Sequence, residues 1–312
     1  MFDFDLIIIG AGPAGLTAAQ YGARANLKVL VIEQLTVGGQ ALVIDALENY
    51  PGNITQKSGF EFAMDLYNQA ENFGAAFITG EVVSVKKEND FFAIELSDGS
   101  VKKAAAVIIA TGSKPRPLGV PGENEFSGKG VSYCATCDGP FFKNKKIFVV
   151  GGGDAACDEA RFLSKLTTKV VLIHRRDAFR AQKSLVQRTL ENPNIEVRFN
   201  TIIKEIKGEV KVKSLLLADV LKGASYEEDA DGVFIFAGTA PQSKLAAELN
   251  VQLDENGCVI TDHKMATNIK GFYAAGDIRS GTFRQVVTAA ADGATAAHNA
   301  AGYIDELKAD IR

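Results

Sequence analysis

The sequence predicts an α/β fold made of two similar domains, the second inserted into the first. Its 312 residues are about twice the usual ~150 residues of one domain. Two short, continuously apolar segments are each followed by a glycine-rich turn and a helix-forming stretch, a pattern typical of strands buried in a parallel sheet. Because the pattern occurs twice, we expect a duplicated, three-layer architecture.

Composition restricts the class of protein before any motif is considered. Hydrophobic residues make up 46% of the chain and charged residues 23%, as in soluble globular proteins. The net charge of −4 argues against nucleic acid or an anionic membrane as a partner. There is no stretch of ~18–20 apolar residues that could span a membrane. The chain starts with acidic residues where a signal peptide is basic, so we expect a cytoplasmic location.

The first repeat is a strand, a glycine-rich turn, a helix and a second strand that ends at Glu33. Its segments are 6–9, 10–15, about 14–25 and 29–33. Gly10 permits a tight turn, Gly12 lets a pyrophosphate approach the backbone, and Gly15 allows the helix to pack closely on the strand. This is the dinucleotide fingerprint of a Rossmann-like unit, in which phosphates lie at the helix N-terminus.

The second repeat has the same parts in the same order. A strand at 147–150 leads into the G-x-G-x-x-A variant of the fingerprint at 151–156, then into a helix to about Leu166 and a strand ending at His174. The distance in sequence from Ala156 to His174 equals that from Gly15 to Glu33. One such motif is weak evidence, but two copies with equal spacing indicate two dinucleotide sites.

After each fingerprint unit the chain continues with an alternating stretch and then a buried strand. The alternating stretches are 81–101 and 196–230, and the strands are 106–109 and 233–237. Prolines after each strand indicate linkers, and the alanine-rich tail from Ala275 to about Gly302 predicts a helix that returns to the first domain. We therefore expect a discontinuous domain, 1–114 with 242–312, into which domain 115–241 is inserted.

The two repeats differ at the end of their second strand. Glu33 can accept hydrogen bonds from a free ribose and would repel a 2′-phosphate. His174, Arg175 and Arg176 occupy the corresponding place in the second repeat, and Arg180 follows. Such a basic cluster binds a 2′-phosphate through charge-assisted hydrogen bonds, although a solvated surface is the alternative. The first domain is thus predicted to bind FAD and the second NADPH.

The four cysteines include one close pair. Cys134 and Cys137 form a C-x-x-C that is followed at once by Asp138. Half of a zinc site and two unrelated buried cysteines are alternatives, but further ligands are scattered, so no metal is expected. A redox-active dithiol is preferred, with Asp138 as the acid/base for the departing thiolate. Cys157 is predicted to be a packing residue and Cys258 a structural or incidental thiol.

Flavin, nicotinamide and dithiol together define an electron path that ends on an external disulfide. The dithiol and the NADPH site fall in the inserted domain and the flavin in the other. Hydride transfer and disulfide reduction both need contact with the flavin ring. If both use one face of the ring they must alternate, so we predict rotation of the domains about linkers near Pro115 and Pro241.

The segment 134–139, placed between two dinucleotide fingerprints, resembles the low-molecular-weight thioredoxin reductases of bacteria and plants. The resemblance covers nearly the whole chain and includes the motifs at 38–40, 48–52, 110–112, 174–180, 274–277 and 284–285. It implies NADPH-dependent reduction of thioredoxin through FAD and the dithiol, and it implies a homodimer. By the same resemblance Cys137 faces the flavin and Cys134 attacks the thioredoxin disulfide.

The resemblance also supplies candidate cofactor residues. Asp277 would bind the ribityl chain, the backbone of Val82 would touch adenine, and 284–286 would lie along the isoalloxazine and its phosphates. The predicted FAD residues are Gly10, Gly12, Pro13, Ala14, Gly15, Glu33, Gly38, Gly39, Gln40, Asn49, Val82, Ala110, Thr111, Gly112, Gly276, Asp277, Arg284, Gln285 and Val286. The predicted NADPH residues are Gly151, Gly153, Asp154, Ala155, Ala156, His174, Arg175, Arg176 and Arg180.

Two positions depart from the family pattern, and other functions stay open. Pro140, ahead of Phe141, can alter the surface offered to thioredoxin, and Asp154 puts a negative charge near the pyrophosphate unless it caps its helix. The acceptor could be a peroxiredoxin-like or other dithiol protein, and a flavin-binding redox sensor without turnover is a further alternative. Glutathione-reductase-like enzymes carry their cysteines after the first fingerprint, and ferredoxin-type reductases lack the C-x-x-C, so neither class fits.

Overall fold

The structure, a computed structural model, describes residues 2–44, 47–55 and 57–310. Its strands are β1 (Phe4–Ile9), β2 (Val29–Glu33), β3 (Ala76–Thr79), β4 (Val82–Glu88), β5 (Phe91–Leu96), β6 (Val101–Ile109), β7 (Ser113–Pro115), β8 (Val131–Ser132), β9 (Ile147–Gly151), β10 (Val170–Ile173), β11 (Ile195–Arg198), β12 (Thr201–Gly208), β13 (Val212–Asp219), β14 (Ser225–Asp229), β15 (Gly232–Phe236), β16 (Thr239–Pro241) and β17 (Phe272–Ala274). Its helices are α1 (Pro13–Arg24), α2 (Gly59–Asn72), α3 (Ala135–Asp138), α4 (Asp154–Leu163), α5 (Lys183–Leu190), α6 (Lys244–Glu248) and α7 (Val286–Asp310). Short 3₁₀ turns cover Gly39–Val43, Gly139–Phe142 and Gly276–Ile278.

The chain divides into two compact units. The first comprises Met1–Lys114 and Ala240–Arg312, and the second is Pro115–Thr239. Each unit has its own buried clusters, two in the first and two in the second, built only from residues of that unit. The second unit is thus continuous in sequence, while the first is completed by the C-terminal part of the chain.

The first unit is a three-layer structure around a sheet of order β3-β2-β1-β6-β5-β4, with β17 also paired to β6. β2, β1, β6 and β17 run parallel, whereas β5 pairs antiparallel with the first half of β6. In β1, Leu6 and Ile8 pack in a cluster with α1, α2 and α7, and Ile7 and Ile9 pack in a cluster with β5. Because both faces are covered, β1 is continuously apolar from Leu6 to Ile9 instead of alternating.

The second unit repeats this layering. Its parallel sheet has the order β11-β10-β9-β15-β8, and β12, β13 and β14 form a separate antiparallel sheet. In β9, Ile147 and Val149 pack with α4, and Phe148 packs with β12 and β13. The predicted α/β class with two Rossmann-like units is confirmed.

The sequence places the last helix wrongly. It predicts a helix from Ala275, but α7 begins only at Val286 and runs to Asp310, well past Gly302. Gly276 and Gly281 both have left-handed φ values, +78° and +69°, which an α-helix does not contain. The segment between them forms a 3₁₀ turn and a loop before α7. In the described part of the chain, no helix is both long and apolar enough to cross a bilayer.

Candidate active site

The two cysteines of the C-x-x-C form a disulfide at the start of α3, with their Cα atoms 5.4 Å apart. Cys134 is the N-cap of α3 and is half-buried, Cys137 is exposed, and half-buried Asp138 ends the helix. The backbone N–H of Cys137 donates a hydrogen bond to Cys134 Sγ at 3.1 Å. After reduction, an N–H donor at this position favours the thiolate of Cys134 over its thiol.

The other two cysteines are buried and free. Cys157 lies on the buried face of α4, where burial raises its pKa to about 11, so it is an unreactive packing residue. Cys258 Sγ lies 3.5 Å from Nη2 of Arg284, a contact that the sequence does not predict. Within the described residues, no group of three or more His, Cys, Asp or Glu is arranged to hold a metal ion.

The glycine-rich turn between β1 and α1 combines close contact with open space. A Cβ added to Gly10 would lie 2.5 Å from the carbonyl oxygen of Ala110, and one added to Gly15 would lie 1.9 Å from that of Gly10. Neither position can carry a side chain. A Cβ on Gly12 would meet no described atom within 4 Å. A pyrophosphate fits this open space, next to N–H groups that the first helical turn leaves without partners.

Glu33 lies beside this turn, at the end of β2. Its Oε2 accepts the N–H of Ala11 at 2.7 Å and its Oε1 accepts that of Leu35 at 3.1 Å. Each carboxylate oxygen keeps a further lone pair with which it can accept from a ribose hydroxyl. A Cβ on Gly39 would lie 3.0 Å from the Cα of Gly12, so the segment with Gly38, Gly39 and Gln40 lies against the same turn.

Further predicted flavin residues are fixed by hydrogen bonds within the first unit. Asn49 Nδ2 donates to Gln285 Oε1 at 2.9 Å, which leaves the amide N–H groups of Gln285 available to a ligand. Gln40 Nε2 donates to the carbonyl of Ser113 at 2.6 Å. Both bonds join residues far apart in sequence, and both orient an amide side chain that the sequence assigns to the flavin.

Two other predicted positions are held through backbone contacts. Val82 is the first residue of β4. Two residues earlier, the N–H of Gly80 donates to the carbonyl of Glu33 at 2.9 Å, so the start of β4 lies beside the residue predicted to bind the ribose. Thr111 Oγ1 donates to the carbonyl of Gln242 at 2.8 Å, and Gln242 Nε2 donates back to the carbonyl of Thr111 at 2.7 Å. Gln242 belongs to none of the sequence motifs.

An ion pair fixes the turn that carries Asp277. A Cβ on Gly276 would lie 2.9 Å from the Cβ of Ala14, so the turn touches the start of α1. Asp292 of α7 accepts the N–H of Gly276 at 3.2 Å and pairs with Arg279 Nη1 at 2.6 Å through the same oxygen. Sequence reasoning misses this pair because neither residue belongs to a motif.

Asp277 itself is half-buried in that turn. Its burial raises the pKa of the carboxyl group, and the guanidinium of Arg284 acts in the opposite direction. Arg284 and Gln285 directly precede Val286, the first residue of α7. In the first unit, several predicted segments therefore lie around the turn between β1 and α1. They are residues 10–15, Glu33, residues 38–40, residues 276–277 and the start of α7.

The second fingerprint has the same design as the first. A Cβ on Gly151 would lie 2.5 Å from the carbonyl oxygen of Phe236, whereas one on Gly153 would meet no described atom within 4 Å. Ala155 and Ala156 lie in the first turn of α4. Open space thus again lies above the start of the helix, as a pyrophosphate requires.

The loop 175–182 lies against this second turn. The N–H of Arg180 donates to the carbonyl of Gly152 at 2.7 Å. Asp154 accepts hydrogen bonds from the backbone N–H and the side-chain amide of Gln182, at 2.8 and 3.0 Å. Asp154 therefore binds the loop and does not cap α4 with its side chain, which was the alternative that the sequence left open. The exposed arginines of the loop are Arg175, Arg176 and Arg180.

His174 differs from these arginines because it is only 6% exposed. Its ring occupies the space beside Gly152, where an added Cβ would lie 2.2 Å from it. The imidazole hydrogen-bonds the backbone of Ala178, and its Nε2 has no partner among the described residues. Burial, and then the neighbouring guanidinium groups, lower the pKa of His174. The exposed arginines therefore carry positive charge on this loop, while the predicted contact of His174 with a 2′-phosphate stays a prediction.

Known proteins resemble this chain over almost its whole length. Residues 4–293 match the family described as pyridine nucleotide-disulphide oxidoreductase. The thioredoxin reductase of Treponema pallidum (strain Nichols) is 53% identical over 98% of this chain and 99% of its own, and that of Peptoclostridium litorale is 45% identical over 98% and 99%. The crystal structure of Lactococcus lactis thioredoxin reductase matches with a TM-score of 0.94 at 40% identity, covering 97% of this chain and 100% of that one.

The chain therefore belongs to the pyridine nucleotide-disulphide oxidoreductase family. Within this family it is one of the low-molecular-weight thioredoxin reductases, as the motifs predict. It is a flavoprotein oxidoreductase that uses FAD and NADPH, so the predicted enzyme class and cofactors are confirmed.

Proposed function

We propose that the enzyme reduces oxidised thioredoxin with electrons from NADPH, and that Cys134 and Cys137 form its redox centre. One observation carries the proposal: a C-x-x-C disulfide stands directly before a second dinucleotide site, in a chain whose relatives are thioredoxin reductases. The chemistry that NADPH and FAD supply when bound is hydride transfer and relay of two electrons to this disulfide. The contribution of the chain is to bind, orient and protonate.

We assign FAD to the first unit. The open space at Gly12 accommodates the pyrophosphate, and Glu33 is placed to accept from the ribose of the adenosine. Asp277 lies in a turn against α1, where it can bind the ribityl chain. Support comes from the steric pattern, since contact forbids a side chain at Gly15 while Gly12 faces empty space.

We assign NADPH to the second unit. Gly153 faces the open space at the start of α4, and the loop 175–182 is tied to the same turn through Arg180 and Asp154. The exposed guanidinium groups of this loop offer charge-assisted hydrogen bonds to a 2′-phosphate. NADH lacks that phosphate, so it should bind more weakly.

The dithiol chemistry follows from the geometry of α3. Two electrons and two protons convert the disulfide into the thiols of Cys134 and Cys137. The Cys134 thiol loses its proton and its thiolate attacks one sulfur of the thioredoxin disulfide. The other thioredoxin sulfur leaves and takes up a proton, with Asp138 as the proposed acid/base. Cys137 then loses its proton and its thiolate attacks Cys134 Sγ in the mixed disulfide, while the second thioredoxin sulfur leaves and is protonated. Reduced thioredoxin is released and the intramolecular disulfide is restored.

Rotation of the two units is part of this proposal. The residues assigned to FAD belong to the first unit, and the dithiol and the residues assigned to NADPH belong to the second. Both half-reactions need contact with the flavin ring, and if both use the same face of it, the units must take up two arrangements in turn. An engineered disulfide that locks the two units should abolish turnover, and turnover retained in the locked protein would refute the rotation.

The decisive experiment is anaerobic oxidation of NADPH by the purified yellow protein, with and without oxidised thioredoxin. We expect sustained turnover only with thioredoxin, much slower turnover with NADH, and none in Cys137→Ser. A protein that consumes NADPH only until its own flavin and disulfide are reduced, with thioredoxin present, would point to a different dithiol protein as the acceptor. A Cys137→Ser variant that still supports turnover would exclude the dithiol route.

Two features of the resemblance complete the proposal. We infer a homodimer in the cytoplasm, in keeping with the class of enzyme. Sedimentation of the holoenzyme should give one species of about twice the 33.3 kDa chain mass. A species at the chain mass across the micromolar range would contradict the dimer.

A further inference from the structure

A buried carboxylate lies in the second unit, between the segment after Pro115 and the segment that enters the dithiol. Glu123 is only 2% exposed. It accepts hydrogen bonds from the N–H groups of Leu118, Gly119 and Val120 at 2.8, 2.7 and 3.4 Å, and from the hydroxyl of Tyr133 at 2.7 Å. A carboxylate can remain buried without a cation when this many donors surround it.

Tyr133 connects this carboxylate to the redox centre, because the next residue is Cys134. Its ring packs against the same buried cluster as Leu118 and Val120. Burial and the hydrogen bond to Glu123 raise the pKa of the phenol, which therefore stays protonated and donates to the side chain of Glu123. The backbone just before Cys134 is thus fixed from one side.

Ser132 fixes the same backbone from the other side. It is 4% exposed, and its hydroxyl accepts the N–H of Cys134 at 3.0 Å and donates to the carbonyl of Cys134 at 3.1 Å. Both backbone groups of the cysteine are therefore held by one side chain. The direction of Cys134 Sγ toward the N–H of Cys137 depends on this backbone conformation.

We propose that Glu123, Tyr133 and Ser132 are positioning residues that hold Cys134 so that the N–H of Cys137 stabilises its thiolate. The inference rests on the proposed function, in which this thiolate attacks thioredoxin. A thiolate gains more from an N–H donor than a thiol does, so loosening the backbone makes the thiol less acidic and the nucleophile less abundant. None of the three side chains takes part in bond making.

The charged groups on α3 and on α4, the helix packed against it, are Asp138, Asp154, Asp158, Glu159 and Arg161. The cavity that Ser132 and Asp138 line adds Lys129, Lys145, Lys211 and Asp231. Tyr133→Phe and Ser132→Ala change none of these charges. Tyr133→Phe keeps the packed ring and removes only the hydroxyl, and Ser132→Ala removes only the bridge across Cys134. Tyr226→Phe is the matched control, because Tyr226 lies in the same unit and is 40% exposed.

The experiment measures alkylation of the reduced, full-length holoenzyme by iodoacetamide as a function of pH, with peptide mass spectrometry to separate Cys134 from Cys137. In Tyr133→Phe and in Ser132→Ala we expect the Cys134 profile to move to higher pH by about half a unit to one unit, the size of one lost hydrogen bond. The thioredoxin kcat/KM should fall about three- to tenfold. Reduction of the flavin by NADPH should be unchanged, as should every property of Tyr226→Phe.

An unshifted Cys134 profile in both variants would overturn the proposal, even if the thermal midpoint fell. Glu123 and Tyr133 act through one hydrogen bond, so their effects should not add. The double variant Glu123→Gln/Tyr133→Phe should shift the Cys134 alkylation profile no further than the larger of the two single changes. Additive shifts would contradict this coupling. If Glu123→Gln does not fold, the other two variants still decide. Alkylation needs no thioredoxin, so failure of the wild type to reduce thioredoxin would end the proposed function without deciding this one.

Discussion

At the scale of single residues, the basic cluster after β10 contains two kinds of side chain. The guanidinium groups of Arg175, Arg176 and Arg180 are exposed on a loop tied to the second fingerprint, whereas the imidazole of His174 is buried beneath it. The arginines can therefore recognise an anion, and the histidine supports the loop.

The arginines should decide the preference for NADPH. Arg175→Ala combined with Arg176→Ala should raise the KM for NADPH strongly, because each lost charged hydrogen bond costs roughly 1.5–3 kcal/mol, about ten- to a hundredfold. The KM for NADH should change little. Steady-state kinetics with both nucleotides provide the test, with Lys222→Ala, an exposed lysine of the same unit, as control. Equal losses for both nucleotides would show that the cluster does not read the 2′-phosphate.

His174 should make stability depend on pH. Its folded-state pKa is lowered, so below the unfolded-state value of about 6.5 the unfolded chain binds a proton that the folded chain does not. The free energy of unfolding therefore falls as pH drops from about 7 toward the lower folded pKa. Urea denaturation at several pH values should show this slope, reduced in His174→Gln but retained in His263→Gln, which changes an exposed histidine. An identical slope in all three proteins would contradict it.

Residue roles were predictable where a local motif defines them, and not where a distant partner does. The cysteines and the fingerprint glycines could be identified because spacing within a few residues carries their chemistry. Gln242 could not, since its partner is set by the fold: Thr111 meets Gln242 across more than a hundred residues of chain. Glu123 and Asp292 could not either, because they belong to no recognisable motif, although their partners lie within twenty residues.

At the scale of elements, the turn between β1 and α1 separates a packing glycine from a ligand-facing glycine. Gly15→Ala places a Cβ 1.9 Å from a carbonyl oxygen, so α1 must move away from β1 and the thermal midpoint should fall by many degrees. Gly12→Ala meets open space, so the apoprotein should melt within a few degrees of the wild type. It should nevertheless bind FAD at least tenfold more weakly, because the methyl group occupies the pyrophosphate position. Thermal melts of apoprotein and FAD titrations test both, and equal melting points for the two variants would refute the distinction.

The ion pair between Asp292 of α7 and Arg279, next to the turn that carries Asp277, should control FAD retention. Asp292→Asn leaves the guanidinium of Arg279, whose side chain is 14% exposed, without its charge partner, a change that costs up to about 3–5 kcal/mol in fully buried pairs. FAD should dissociate faster and the thermal midpoint should fall. Asp305→Asn, an exposed position on the same helix, is the control. Unchanged FAD release in Asp292→Asn would show that the pair does not hold the turn.

Strands were easier to predict than the start of α7. β1 and β9 are apolar on both faces because both faces are covered, and that leaves a clear signal in sequence. The alanines that indicate a helix lie at 289–301, within α7, and the segment from Gly276 to Gln285 contains none. The left-handed φ values of Gly276 and Gly281 are incompatible with a helix there.

At the scale of the whole molecule, the two units differ in continuity. All residues of the second unit come from one stretch, Pro115–Thr239, and its two buried clusters contain no others. We therefore expect this stretch, expressed alone, to fold cooperatively and to bind NADPH but not FAD. Circular dichroism melts and calorimetric titrations test the prediction, with Arg175→Ala/Arg176→Ala in the same fragment as the control that should lose binding. A fragment without a cooperative melt would show that the unit needs the rest of the chain.

The packing of α7 on α1 sets the order in which the newly made chain can fold. Gly293 of α7 lies so close to α1 that a Cβ there would be 2.1 Å from the carbonyl oxygen of Ala14, and this contact joins the two ends of the sequence. The ribosome adds roughly 5–20 residues per second, so the inserted unit is finished several seconds before the helix that covers α1 exists. During that interval the apolar surface of α1 faces water. The risk of aggregation during synthesis therefore falls on the first unit, although its first strands are made earliest.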